Sequence, residues 1–236
     1  MPTMKLRNVP YGTTFTAFGE TFVALDYIGG GVLAIRRDNW KNAAFDEDGK
    51  NNLKTASIGG KLNNFLNVLE DGGAARGDIL PMTVDLKATD GTREYGFCET
   101  RIGLLTLEQY GKYQHIIPDA DGPWWLATPW RTPGEKCGNS TYAWSVNSNG
   151  NANYDYCSYA GYYLRPALIL SSNLLISIED EEEQGGGKTE AETYAEYCAY
   201  VEEWAEYAND GGQDQGTSPL TYEEWKEENA ERVEAE

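Results

Sequence analysis

Apolar and polar positions change period several times along the chain, and each change marks an element. Residues 13–18 and 21–27 are β-like, with Phe22, Ala24 and Leu25 apolar, and 32–35 follows after Gly29-Gly30-Gly31. Two strands flanking a glycine turn predict a hairpin. Residues 38–52 are polar, and the run from Asp46 to Asn52 lacks the ligand spacing and closing Glu of a calcium loop, so a solvated turn is expected. Residues 57–68 place Ile58, Leu62, Phe65, Leu66 and Val68 at three- and four-residue spacing, an amphipathic helix weakened at its start by Gly59-Gly60. A loop over 70–77 precedes strands expected over 79–86 and 91–99. Residues 104–110 predict a strand end turning into a one-turn helix capped by Thr106, and Asp119-Ala120-Asp121-Gly122 is a turn.

The chain is organised around residues 124–168. Trp124, Trp125 and Leu126 open this stretch, and Leu164, Ala167, Leu168, Ile169 and Leu170 close it. Between these anchors, residues 138–163 are mostly Asn, Ser, Tyr, Gly and Ala, a composition that packs no core and suits a recognition surface. Tyr and Trp give contact area at low entropic cost, while Ser, Gly and Asn give adaptable hydrogen bonds. The same residues also suit a β-meander whose Asn-Gly and Ser-Asn pairs are turns and whose tyrosines are half-buried. Both descriptions can hold at once. Trp124 and Trp125 are expected to serve the core, one of them reaching the surface.

Charge divides the chain. Residues 179–236 carry twenty Asp and Glu against three Lys and Arg, whereas the first 178 carry eighteen against sixteen. The net charge of −19 therefore belongs almost wholly to the C-terminal part. Residues 179–187, acidic and then triple-glycine, have linker composition. In 188–236, Tyr194, Tyr197, Val201 and Trp204 recur at helical spacing; a second helix is expected from Ser218-Pro219, with Thr221 and Glu224 at capping-box spacing and Trp225 inside. Such a helical hairpin is too small to bury its aromatic stripe alone. It either docks, on the body, its own copies or a partner, or remains a solubilising tail. No clustered basic surface suggests nucleic acid as a partner.

The first residues have no signal-peptide core, and no segment approaches the eighteen apolar residues of a membrane span, so cytoplasmic synthesis without membrane insertion is expected. Cys98, Cys137, Cys157 and Cys198 form no C-x-x-C pair. Reduced thiols are the default, with a Cys137–Cys157 bridge possible in an oxidising medium. The single histidine, His115, lies beside apolar neighbours and is expected to be a hydrogen-bonded structural residue. No nucleophile elbow, dinucleotide fingerprint, phosphate loop or glycosidase carboxylate pair stands out. The expectation is a non-enzyme without cofactor or metal.

Three segments carry a resemblance: WWLATP from Trp124, YAWSVNSNG from Tyr142, and YLRPAL from Tyr163. Together they resemble the WWLRSPG, A-x-x-V-x-x-x-G and GVRPAL signature of an uncharacterised bacterial and phage domain family, over residues 12–172. The family implies an α+β, C-type-lectin-like fold shared with formylglycine-generating-enzyme-type domains. Ala127 replaces the usual Arg after WWL, and Tyr163-Leu164 replaces Gly-Val, which removes any ion pair built on that first Arg. The enzyme-type cysteine pair and the lectin calcium motifs are not recognisable. The Asn/Tyr-rich stretch is also similar to the variable region of proteins diversified by phage-type retroelements.

The resulting expectation is a lectin-like recognition domain over 1–178, a linker over 179–187 and an acidic helical hairpin over 188–236. Its ligand contacts are Tyr142, Trp144, Asn147, Asn149, Asn151, Asn153, Tyr154, Asp155, Tyr156, Tyr159 and Tyr162; Trp124, Trp125, Arg165 and Pro166 are structural, with the Arg165 fork bridging carbonyls or a carboxylate. The function is expected to be virion-associated binding of a bacterial surface protein or glycan. The alternatives are a structural virion protein assembling through Tyr194, Tyr197, Val201, Trp204 and Trp225, and an enzyme of formylglycine-generating type.

Overall fold

The computed structural model describes residues 3–133 and 138–177, all within the first of two units into which the chain's contacts divide, Met1–Glu179. The expected linker, the helical hairpin with Tyr194, Tyr197, Val201, Trp204 and Trp225, and Cys137 and Cys198 lie outside the described residues. The described part is mainly β-sheet with two short helices, an α+β architecture.

The chain opens with β1 (Thr3–Lys5), a 3-10 turn at Leu6–Asn8, β2 (Thr14–Ala17), β3 (Glu20–Ile28) and β4 (Gly31–Arg36). Gly29 and Gly30 both adopt left-handed φ, 58° and 83°, and Ile28 pairs with Gly31. This is the two-residue hairpin that requires positive φ at both central positions, which glycine supplies without steric cost. Helix α1 (Ile58–Asp71) buries Ile58, Leu62, Phe65 and Leu69. It runs three residues past the expected end, so the loop begins at Gly72.

The strand expected over 79–86 is interrupted at Pro81, giving β5 (Ile79–Leu80) and β6 (Met82–Asp85). Proline has no N–H to continue a ladder. β6 pairs with β7 (Phe97–Thr100), so residues 88–96 form a turn where a strand was expected from residue 91. After β8 (Ile102–Gly103) comes α2 (Leu107–Tyr113), two turns long where one was expected. Thr106 caps it as predicted: its hydroxyl accepts from Gln109 N, and Gln109 Oε1 accepts from Thr106 N.

The remaining strands are β9 (Trp124–Pro129), β10 (Tyr142–Val146), β11 (Ala152–Tyr156), β12 (Ala167–Ser171) and β13 (Leu175–Ser177). The large antiparallel sheet runs β1-β13-β2-β3-β4-β12-β5, with β8 also on β12. Its first and last strands in sequence, β1 and β13, are therefore neighbours. A second sheet has the order β11-β10-β9.

The two sheets are joined by the anchors of the 124–168 stretch. Trp124 and Trp125 are both buried, at 1% and 0%, so neither reaches the surface. Trp125 packs edge-on against Phe45, and its indole N–H donates to Ala43 O at 2.9 Å. Arg165 is 1% exposed. Its Nε donates to Arg36 O at 3.0 Å, Nη2 donates to Arg37 O, and the guanidinium lies 5.1 Å from the Trp124 ring centroid. The expected carbonyl-bridging role is met. Burial pushes its pKa down to about 10, and the group keeps its charge at neutral pH. Pro166 supports the same junction, its carbonyl accepting from Arg36 N at 2.8 Å.

The run 46–52 forms the expected turn, closed by Gly49 N donating to Asp46 O at 3.0 Å with Glu47, Asp48 and Lys50 exposed, but it is anchored inward at its ends. Asp46 and Asn51 are buried, and Asp46 accepts from the backbone N–H groups of Lys50 and Ser57. His115, expected as a structural residue, is exposed. Among the described residues no helix is long and apolar enough to cross a membrane, and no group of three or more His, Cys, Asp or Glu could hold a metal ion.

Candidate functional site

The polar stretch folds as the hairpin β10–β11. Its turn, 147–151, closes with Gly150 N donating to Asn147 O and Asn147 N donating to Asn151 O, and Gly150 sits at φ 77°. This is the three-residue loop that ends on a left-handed glycine. Asn149 Oδ1 accepts from Asn151 N at 3.2 Å, and the Tyr110 hydroxyl of α2 donates to Gly150 O at 2.5 Å. Asn147, Asn149 and Asn151 therefore shape the hairpin tip.

Strand periodicity then sorts the tyrosines by face. Tyr142 pairs with Tyr156 and Trp144 with Tyr154, so these four project from one face. The same face carries Trp130, just past β9, whose N–H donates to Tyr142 O. The rings interlock. Tyr154 stacks on Trp130 (5.1 Å, 23°) and meets Tyr142 (5.8 Å) and Trp144 (5.7 Å) edge-on, while Tyr142 lies 4.4 Å from Tyr156. The Arg131 guanidinium sits 4.5 Å above Trp130. Tyr154 and Tyr156 remain 42% and 55% exposed. A hydrogen bond with Tyr156 and local burial push the Tyr142 pKa up to about 12.

The opposite face is core, against the expectation that this stretch packs none. Ala143, Ser145 and Cys157, at the odd positions, are buried, and Tyr162 is buried beside them. Tyr162, expected to touch ligand, stacks on Trp125 at 4.4 Å and donates to Asp155 Oδ2 at 3.1 Å. The other Asp155 oxygen accepts from Tyr156 N at 2.7 Å. Asp155 is engaged internally because odd positions of β11 turn toward the body, and Tyr162, beyond the strand, meets it there. Asn153 shares the parity of Asp155 but is exposed at the sheet margin. Tyr159 is 54% exposed, and its ring pairs with Tyr162 rather than with the aromatic ladder. Burial, then the charge of Asp46, pushes the Cys157 thiol up to about 12.

No protein-family model, curated protein or solved structure matches the chain.

The ladder has a polar rim and a rigid support. Trp144 Nε1 donates to Thr89 Oγ1 at 3.4 Å, and Thr89 Oγ1 donates to Trp130 O at 2.9 Å. Thr92 and Thr132 hydroxyls lie 2.6 Å apart. Hydrogen bonds from Thr92 hold Asp90 below the usual carboxylate range, and the Thr132 hydroxyl does the same for Glu94, so both rim carboxylates are ionised at neutral pH. Beneath the ladder, Asn51 Nδ2 donates to Arg131 O (2.7 Å) and Tyr142 O (2.8 Å), while its Oδ1 accepts from the Tyr95 hydroxyl (2.8 Å).

Trp130, Arg131, Thr89, Asp90 and Asn51 were not among the expected site residues. Trp130 and Arg131 directly follow WWLATP, so their place beside the tyrosines was accessible from a β9–β10 pairing. Asn51 carried no local signal, because its partners are far away in sequence.

Proposed function

We propose that this protein is a non-enzymatic recognition protein whose binding surface is the ladder of Trp130, Tyr142, Trp144, Tyr154 and Tyr156. The observation that carries the reading is the meeting of five aromatic rings on one outward sheet face, with Tyr154 and Tyr156 open to solvent. Contiguous exposed apolar surface with a polar rim is a mark of interaction sites. Aromatic faces stack on sugar rings or peptide side chains, and the rim of Asp90, Glu94 and Arg131 orients the ligand. The paired first and last strands, the small second sheet carrying the Asn/Tyr hairpin, and the buried Trp125 and Arg165 support a C-type-lectin-like body. On this reading the chain is a phage or prophage virion component that binds a host-surface protein or glycan.

The alternative of assembly through Tyr194, Tyr197, Val201, Trp204 and Trp225 rests wholly on residues outside those described. For a formylglycine-generating type of enzyme, the buried thiol of Cys157, pushed up to about 12, is poorly suited to act as a thiolate, and Cys137 lies outside the described residues. The test is binding of fluorescently labelled full-length protein, and of protein lacking residues 185–236, to bacterial cells and surface-glycan fractions. Saturable binding that survives truncation supports the ladder. Binding lost on truncation moves the function to the C-terminal part.

A further inference from the structure

β11 is the outer strand of its sheet, and the hairpin register fixes which of its backbone groups face outward. Cys157 N donates to Thr141 O at 2.8 Å and Asn147 N to Asn151 O at 2.9 Å, so the odd positions are the hydrogen-bonded pairs of the β10–β11 ladder. On the other side of β10 the even positions turn to β9, as the bond from Trp130 N to Tyr142 O requires. The N–H and C=O groups of Ala152 and Tyr154 consequently point away from the sheet, and among the described residues no strand pairs with them.

The next even position is closed. Tyr156 N donates to Asp155 Oδ1 and Tyr156 O accepts from Tyr159 N. The open edge is thus Ala152-Asn153-Tyr154, stopped at one end by the Asp155 carboxylate. Edge strands are ordinarily protected by lysine, proline or a bulge. This strand, Ala152–Tyr156 (ANYDY), carries no lysine or proline, its pairing with β10 is regular, and its one charge is engaged with its own backbone.

Resting on the recognition reading above, we propose that the ligand is an extended polypeptide segment that adds as a fourth strand to the edge of β11 at Ala152–Tyr154. An extended main chain supplies an acceptor and a donor at the two-residue repeat on which the Ala152 and Tyr154 groups recur. A glycan could stack on the rings but has no such repeat to match the edge. Alternate side chains of the guest strand fall on the ladder face, against Tyr154 and Tyr156. A second copy is the less suitable guest: two whole chains, each of formal net charge −19 and most of it in residues 179–236, repel one another on approach, whereas a short extended segment carries no such charge.

The test uses the full chain. Linear twelve-residue peptides are selected from a random displayed library, with an array of bacterial surface glycans probed in parallel, and the selected peptides are then synthesised with a single N-methyl group moved along the backbone. Strand addition predicts a period-two scan, in which alternate N-methyl positions weaken binding at least tenfold and the intervening ones leave it nearly unchanged. Ala152→Pro, which removes an outward N–H and touches no ring, should also weaken binding at least tenfold, with its melting temperature read to confirm folding. A scan without period two, or binding unchanged in folded Ala152→Pro, overturns strand addition. Glycan binding without peptide binding overturns it too, and leaves the ladder standing if Tyr154→Ala abolishes that binding. If Tyr154→Ala and Tyr156→Ala leave every bound probe unaffected, the recognition reading itself fails.

Discussion

Trp144 and Tyr154 face each other across a non-hydrogen-bonded position of the β10–β11 hairpin, their ring centroids 5.7 Å apart at 69°. Side chains at such positions approach most closely, and aromatic pairs there contribute roughly 0.2–1 kcal/mol to hairpin stability. The pair is also outward-facing, so it links the local stability of the hairpin to the surface it presents.

That double role predicts a contrast within the tyrosines. Tyr162→Ala removes a buried ring stacked on Trp125 and should cost about 3 kcal/mol, roughly 6–12 °C in melting temperature. Tyr154→Ala removes an exposed ring and should cost about 1 kcal/mol or less. Thermal unfolding of the two variants side by side checks the assignment of faces, and equal losses would contradict it.

Asn51 should behave as a positioning residue. Asn51→Ala strips the carbonyls of Arg131 and Tyr142 and the Tyr95 hydroxyl of a buried partner, a loss of about 2–4 kcal/mol. It touches no ring of the ladder, yet ligand binding should weaken with stability because both ends of the Trp130–Tyr142 contact are held through it. Asn51→Asp retains one acceptor and loses the donors, so it should rescue neither property.

Arg165→Met should destabilise by about 3 kcal/mol, since it leaves the Arg36 and Arg37 carbonyls without their donor at the junction of the two sheets. Arg165→Lys should recover little, because a single ammonium cannot span two carbonyls as the planar fork does. Denaturant unfolding of the pair reads this directly.

Asp26 supplies a pH dependence of known sign. Partial burial opposes its ionisation, but hydrogen bonds from Lys112 and the Tyr113 hydroxyl outweigh that and hold the carboxyl below its ordinary 3.8. A carboxylate depressed in the folded state contributes stability that is full above the unfolded value and is lost as pH falls through the folded one. Asp26→Asn should therefore lower the melting temperature at pH 7, and the difference from the parent should close progressively below about pH 3.8. A gap that persists unchanged to pH 2 would contradict the assignment.

How much of this was legible beforehand depended on how local each signal was. The Gly29-Gly30 hairpin and the Thr106 cap were readable because the residues that make them are adjacent or three apart. The length of α2 was missed because tertiary contacts, not spacing, decide where short elements end, whereas the break at Pro81 was a local signal passed over, since proline has no N–H for the ladder. Tyr154, Asp155 and Tyr156 looked equivalent as composition, although a two-residue period sends Asp155 to the body and its neighbours outward. Asn51 could not have been read as buried, since its partners lie 44 to 91 positions away. Trp130 escaped because β9 is buried at every position and offers no alternation of its own, so that only its pairing with β10 brings Trp130 beside the tyrosines.

The central claim is that the aromatic ladder binds the ligand, and the most direct measurement is saturable binding of labelled protein to bacterial cells, comparing the parent with a Trp144→Ala, Tyr154→Ala, Tyr156→Ala triple variant. The ladder account predicts loss of binding with a melting temperature within several degrees of the parent. Undiminished binding by the folded triple variant would contradict it.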